Sequence, residues 1–203
     1  VAMPRGLLTE ELRRQLEQKN EALEKKQREL LKAWEDADGI FAMLASVLPG
    51  RVLDGRYRLE EKIGAGGFAA VYRGVDVSSG RNVAVKVLRP TGAGDRARRR
   101  LEAEEQSALR IHHENAVAVL ARGVTDDGVA YLVMELLSGR SLADELALTG
   151  RLSFARCAEL LVPVCAALAE AHKSGVLHRD VKPGNIFLHR DGAGETVKLV
   201  DFG

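Results

Sequence analysis

The chain has 203 residues, 46% of them apolar, enough to bury the core of one medium domain with an appendage. Thirty Lys and Arg against 29 Asp and Glu leave a net charge of +1, which excludes a nucleic-acid-binding tail or a polybasic membrane anchor. Aromatics at 4% exclude a stacking platform for single-stranded nucleic acid, so no nucleic-acid partner is expected.

No stretch approaches the roughly 20 apolar residues of a membrane span, and the N-terminus lacks the layout of a signal peptide. Cys157 and Cys165, eight residues apart in one helix-like segment, are poor disulfide or zinc partners. They read as small core residues in a reducing compartment. A cytoplasmic location is expected, with a membrane tether outside the 203 residues left open. The chain opens Val-Ala-Met and stops at D-F-G, so it reads as a fragment at both ends.

Two compositions meet near Pro49-Gly50. Before them, Leu8 to Ala37 is rich in Glu, Lys, Arg, Gln and Leu without Gly or Pro, which predicts a long helix. Leu16, Leu23 and Leu30 fall seven apart, but the companion row Leu12, Lys19, Lys26, Ala33 is half polar. Two readings stay open: a dimeric coiled coil, or a solvated helix packing one stripe on its own domain. Residues 1–50 are therefore expected to be a helical or coiled-coil connector. The apolar run Ile40 to Leu44 suits docking on a partner or on the domain that follows.

After Gly50 the pattern is that of strands: Tyr57 to Ile63, Ala70 to Val77 and Asn82 to Leu88, with a turn at Ser78-Ser79-Gly80. Asp95 to Arg110 reads as a helix. Strands over Ala116 to Val124 and Ala130 to Glu135 follow, joined at Asp126-Asp127-Gly128. Beyond them come helices over Ser141 to Leu148 and Ser153 to Lys173, the second with Pro163 as a local kink. Short strands at Ile186 to Leu188 and Val197 to Val200 close the chain. A five-stranded sheet with one helix, then helices, predicts an α+β protein of two lobes with a cleft between them.

Five motifs carry chemistry. In I-G-A-G-G-F-A-A-V, Ile63 to Val71, glycines let backbone N–H groups approach phosphate oxygens. Ala69 stands where G-x-G-x-x-G has its third glycine, and the motif leads into a strand, which argues against a dinucleotide-binding turn. V-A-V-K, Val83 to Lys86, puts a lysine in an apolar strand, where burial needs an anionic partner. Alternation places Ala84 and Lys86 on one face. Glu102, Glu104 and Glu105 are carboxylates on the next helix, with Glu104 nearest its apolar stripe and Glu105 the second choice. H-R-D-V-K-P-G-N, His178 to Asn185, packs seven polar or special residues into eight positions. Asp180 can accept a proton from a hydroxyl, Lys182 can neutralise a phosphoryl group, and Asn185 offers an oxygen to a hard cation such as Mg²⁺. Asp201 of D-F-G lies 21 residues after Asp180 and offers a second oxygen ligand.

In this order and spacing the motifs resemble the bacterial Hanks-type (eukaryotic-like) serine/threonine protein kinases. Tyr131 to Leu142 resembles the hinge between the lobes, with Met134 at the gatekeeper position, and His112 to Asn115 resembles the motif after the regulatory helix. Ala171-His172 and Lys182 point to serine/threonine specificity. The resemblance implies a kinase domain over residues 51–203, with an N-lobe at about 57–135 and a partial C-lobe at 136–203. It implies ATP and Mg²⁺ as cofactors and protein Ser/Thr hydroxyls as substrates. Ile63, Gly64, Ala65, Gly66, Gly67, Phe68, Ala69, Ala70 and Val71 would cover ATP. Lys86 would bind its phosphates and pair with Glu104. Ala84, Met134 and the backbone of Glu135 and Leu137 would meet adenine. Asp180 would be the base, Lys182 would steady the γ-phosphate, and Asn185 and Asp201 would hold Mg²⁺. His178 and Phe202 would be structural, and Arg179 would read a phosphorylated activation segment.

Ala69 predicts weaker or slower ATP use. The segment expected after D-F-G, with A-P-E and the remaining lower-lobe helices, lies past Gly203, so the 203 residues alone are expected to fold poorly and to leave proteins unphosphorylated. The alternative function is an ATP-binding pseudokinase or scaffold. The N-terminal helix is expected to serve as a connector or as a homodimerising rod.

Overall fold

A computed structural model describes residues 14–16, 18–29, 39, 41, 45–66, 69–89, 111–192 and 194–202. The helix expected over Asp95 to Arg110, with Glu104, and Gly67 and Phe68 of the glycine-rich motif lie outside the described residues. The chain divides into two compact units, Val1–Val47 and Leu48–Gly203.

In the first unit, residues 14–16 and 18–29 are helical and exposed, and we call this helix α1. Leu16 and Leu23 of the seven-residue row are 61% and 56% exposed.

The second unit begins with an antiparallel sheet. Its strands are β1 (Val52–Leu53), β2 (Tyr57–Ala65), β3 (Ala69–Asp76), β4 (Arg81–Leu88), β5 (Val119–Val124) and β6 (Ala130–Glu135). They are ordered β1-β2-β3-β4-β6-β5. The five strands read from the sequence are all present, and β1, at two residues too short to show a period, adds a sixth. Alternation drives the sheet: Tyr57 and Leu59 are buried while Arg58 and Glu60 are exposed. Residues 116–118, expected inside a strand, leave the sheet, and Ala116 instead makes an isolated parallel bridge to Leu199.

Helix α2 (Leu142–Thr149) starts at a capping box, in which the Ser141 hydroxyl accepts the Asp144 N–H and Asp144 accepts the Ser141 N–H. Helix α3 (Phe154–Lys173) runs unbroken through Pro163. Leu160, Val164, Ala167 and Ala171, at helical spacing, bury its inner stripe against Ile186, Leu188, Val197 and Leu199. Cys157 is half-buried, but Cys165 falls on the outer face of α3 and is exposed, so it is not a core residue.

A second sheet, ordered β7-β8-β9, pairs β7 (Gly139–Ser141), β8 (Ile186–Asp191) and β9 (Gly194–Leu199). β7 was not foreseen. It continues the chain out of β6 and fastens it to β8, which leaves the His178–Asn185 loop.

Candidate active site

Strand β4 places Lys86 opposite Val71 on one side and Leu132 on the other, and Ala84 opposite Arg73 and Met134. Ala84, Val117, Leu132 and Met134 form a buried apolar cluster, with Val71, Val119, Leu137 and Val200 packed on it. This is the one-face arrangement expected of Ala84 and Lys86. A small pocket of about 20 Å³ joins Lys86, Val117, Val119, Leu132, Met134, Asp201 and Phe202. The Lys86 ammonium sits 2.8 Å from Asp201 Oδ1, across 115 residues of sequence.

The glycine-rich motif straddles the β2–β3 turn. Ile63, Gly64 and Ala65 end β2, and Ala69, Ala70 and Val71 open β3, in the register Gly64↔Val71 and Ala65↔Ala70. The Gly66 N–H donates to the Ala69 carbonyl at 2.9 Å. The motif therefore leads into a strand, not a helix.

The His178–Asn185 loop is held by side chains that cannot be exchanged freely. His178 is 2% exposed, and its Nε2 lies 2.9 Å from the Val200 carbonyl. A carbonyl only accepts, so Nε2 carries the proton and Nδ1 accepts the Asp180 N–H. The ring also stacks, tilted, on Phe202 with centroids 4.8 Å apart. Asn185, 6% exposed, donates from Nδ2 to the Asp180 carbonyl at 2.8 Å and to Asp180 Oδ2 at 3.0 Å. Lys182 Nζ donates to Asp180 Oδ2 at 2.6 Å. Pro183 opens the short 3₁₀ turn that ends at Asn185. The Lys182 ammonium first, and then the Asn185 amide, hold the Asp180 carboxyl below its usual range, so it is ionised at neutral pH.

Val200 joins the two halves. Its N–H donates to the Asn185 carbonyl at 2.9 Å, and its carbonyl accepts from His178. The next residue, Asp201, has φ 61°, and Arg179 in the loop has φ 62°. Left-handed backbone at non-glycine residues costs energy and persists only where neighbours fix it, as the Val200 bonds do here. Of the residues expected to meet adenine, Met134 lies in the apolar cluster and Leu137 packs against it, and the Glu135 N–H donates to the Ala118 carbonyl at 3.0 Å.

Lys86 and Asp201 thus share one pocket with Met134, and Asp180, Lys182 and Asn185 form a second cluster tied to the Asp201 segment through Val200. The Lys86–Glu104 pair lies outside the described residues. Sequence reasoning gave no role to Lys198, which pairs with Glu135, or to Asn115, which is 8% exposed and donates to the Val197 carbonyl. The Lys198 signal was available: like Lys86, it is a lysine set inside an apolar strand, Val197-Lys198-Leu199.

The sequence profile of the protein kinase domain matches residues 57–203. The chain is 42% identical over 156 residues to the probable serine/threonine-protein kinase PknB of Corynebacterium glutamicum, covering 75% of this chain and 24% of that protein. It is 42% identical over 159 residues to the serine/threonine-protein kinase PknL of Mycobacterium tuberculosis, covering 77% and 38%. It therefore spans only a quarter to two fifths of the length of these relatives. The crystal structure of the M. tuberculosis PknI kinase domain superposes with a TM-score of 0.67 at 29% identity, over 77% of this chain and 61% of that one.

Proposed function

We infer, since this chain belongs to the protein kinase family, that its cleft takes Mg·ATP and that the protein carrying it moves the γ-phosphoryl group to protein serine and threonine hydroxyls. One observation carries the reading. Two charged constellations, Lys86 with Asp201 and Asp180 with Lys182 and Asn185, are linked through Val200, which lies just before Asp201 and whose N–H donates to the Asn185 carbonyl.

The donors suit Mg²⁺. This ion is held by one or two protein oxygens together with phosphates and water, not by an all-protein cage. Asp201 supplies a carboxylate, and Asn185, with its nitrogen committed to Asp180, presents its oxygen. Among the described residues no cluster of three or more His, Cys, Asp or Glu competes with that set. When bound, Mg²⁺ would neutralise charge on the β- and γ-phosphates.

The chain's own residues do the remainder. Backbone N–H groups of the Ile63–Val71 turn cover the phosphates. Lys86 moves from Asp201 to the α- and β-phosphates. Ala84 and Met134 pack the adenine, whose edge meets the backbone of Glu135 and Leu137. Asp180, ionised, accepts the hydrogen bond and then the proton of the attacking hydroxyl. Lys182, now bonded to Asp180, swings to the γ-phosphate. Most of the catalysis is positioning and charge stabilisation.

Serine/threonine specificity is supported by Lys182, two residues after Asp180, and by the likeness to the serine/threonine-protein kinases PknB and PknL. Residues 51–203 act as the kinase-domain portion, and residues 1–50 as a connector. The exposure of Leu16 and Leu23 favours homodimer formation through α1. No helix among the described residues is long and apolar enough to cross a membrane, in keeping with a cytoplasmic site of action.

The test uses the full-length gene product with Mg·ATP and a generic basic protein. Asp180→Asn should lower phosphate transfer by about 10²–10⁴, the usual contribution of a general base, with ATP affinity retained. Transfer unaffected by Asp180→Asn would refute its role. ATP binding without any transfer by the unsubstituted protein would make it a scaffold.

A further inference from the structure

Three residues before Asp201, β9 carries a lysine whose charge is met inside the molecule. Lys198 Nζ lies 2.8 Å from Glu135 Oε1, and the two side chains are 13% and 27% exposed. An exposed ion pair of this kind usually contributes little. This one is largely shielded, and its carboxylate oxygen also accepts the Ala118 N–H at 2.8 Å. The Glu135 N–H returns a bond to the Ala118 carbonyl at 3.0 Å. Glu135 is therefore fixed to residue 118 from both its backbone and its side chain.

The segment that holds Glu135 is itself fastened to β9. Asn115 Nδ2 donates to the Val197 carbonyl at 2.9 Å. The Leu199 N–H donates to the Asn115 carbonyl at 2.8 Å, and the Val117 N–H to the Leu199 carbonyl at 2.9 Å. Lys198 closes this ring. It is the direct side-chain tie between β9, which delivers Asp201, and the end of β6, which delivers the hinge. Val117, inside the ring, lines the pocket that Lys86, Met134 and Asp201 share.

We propose that Lys198 is a positioning residue that sets the distance between the adenine end and the metal end of the nucleotide site by clamping Glu135 to the strand bearing Asp201. The inference rests on the nucleotide reading above. It makes a selective demand. A ligand that touches only the hinge needs no fixed spacing to Asp201, whereas Mg·ATP reaches both ends. Loss of the Lys198 charge leaves Glu135 held by its two bonds to Ala118, so the hinge keeps its shape, while β9 loses its direct side-chain tie to it and Asp201 is registered only through the longer route by Asn115 and Val117.

The experiment is titration of the full-length gene product with adenosine and with Mg·ATP, comparing the unsubstituted protein with Lys198→Met, Lys198→Arg and Lys198→Gln. Lys198→Met keeps the apolar stem and removes the charge. Its Mg·ATP affinity should fall about tenfold, equivalent to 1.4 kcal/mol, while adenosine affinity stays within about twofold of the parent. Lys198→Arg should restore Mg·ATP binding. Lys198→Gln, which also removes the charge but keeps a polar end, should show the same selective loss, and it carries the test if Lys198→Met does not fold. Equal losses for both ligands, or no loss for Mg·ATP, would overturn the clamp. Failure of the unsubstituted chain to bind either ligand would instead overturn the nucleotide reading itself.

Discussion

Replacing Gly139 by alanine should be among the costliest single changes in the second unit. Gly139 opens β7, where the chain leaves the hinge, and its φ of 130° is one that side-chain-bearing residues rarely adopt. Such a conformation costs about 1–3 kcal/mol for a residue with a Cβ. The added Cβ would also stand 2.1 Å from the Leu188 carbonyl oxygen and 3.2 Å from its carbon. Those atoms are backbone, so relief requires β7 to lift from β8. That strains the Arg190 N–H bond to the Ser138 carbonyl, now 2.7 Å, and the Gly139↔His189 pairing. Each bond lost costs about 0.5–1.5 kcal/mol. The sum is roughly 2–5 kcal/mol against a typical total of about 5–15, or a fall in Tm near 10 °C at about 2–4 °C per kcal/mol. Gly150→Ala is the internal control. Gly150 also has positive φ, at 74°, but nothing lies within 4 Å of its added Cβ, so only the left-handed cost of about 1–2 kcal/mol applies. Urea and thermal unfolding of the two variants measure the difference. A Gly139→Ala protein no less stable than Gly150→Ala would refute the backbone-clash argument.

Other outcomes follow from packing and charge. Leu160→Ala, at a residue 1% exposed in the lower core, should cost about 2–5 kcal/mol in urea unfolding. Ala84→Leu should lower adenosine affinity at least tenfold, because the larger side chain enters the wall formed with Leu132 and Met134, at a stability cost of about 1–3 kcal/mol. Arg51 donates to both Asp127 oxygens at 2.6 and 2.7 Å, and with Thr125 it pulls that carboxyl down to about 2. A carboxyl depressed in the folded state stabilises above its unfolded value of about 3.9 and loses that effect as pH falls toward the folded value. The stability gap between parent and Arg51→Ala should therefore be full at neutral pH and shrink between about pH 4 and pH 2. A gap that stays constant over that range would contradict the pairing.

Much of this architecture was legible in the residues. Strands β2 to β4 follow from alternating or continuous apolar, β-branched runs bounded by glycine-rich turns, and α3 from a 3.6-residue apolar stripe that outweighs Pro163. The site was legible for a different reason. His178 to Asn185 packs more specified polar groups than any turn requires, and the structure uses His178, Lys182 and Asn185 for bonds that fix Asp180 or Val200. What escaped depends on contacts between distant segments. β1 and β7, two and three residues long, exist only because β2 and β8 supply their hydrogen bonds. Cys165 looked like core because its neighbours are apolar, yet its place on α3 turns it outward. Lys198 received no role because its partner Glu135 lies 63 residues away in the sequence.

The most direct test of the nucleotide-site account is calorimetric titration of the chain with ATP, with and without Mg²⁺, for the unsubstituted protein and for Asp201→Asn. The account predicts that Mg²⁺ tightens ATP binding in the parent, and that Asp201→Asn abolishes the Mg²⁺ effect while Mg²⁺-free binding persists, because Lys86 remains to meet the phosphates. ATP affinity that ignores Mg²⁺ in the parent, or a Mg²⁺ effect that survives Asp201→Asn, would contradict it.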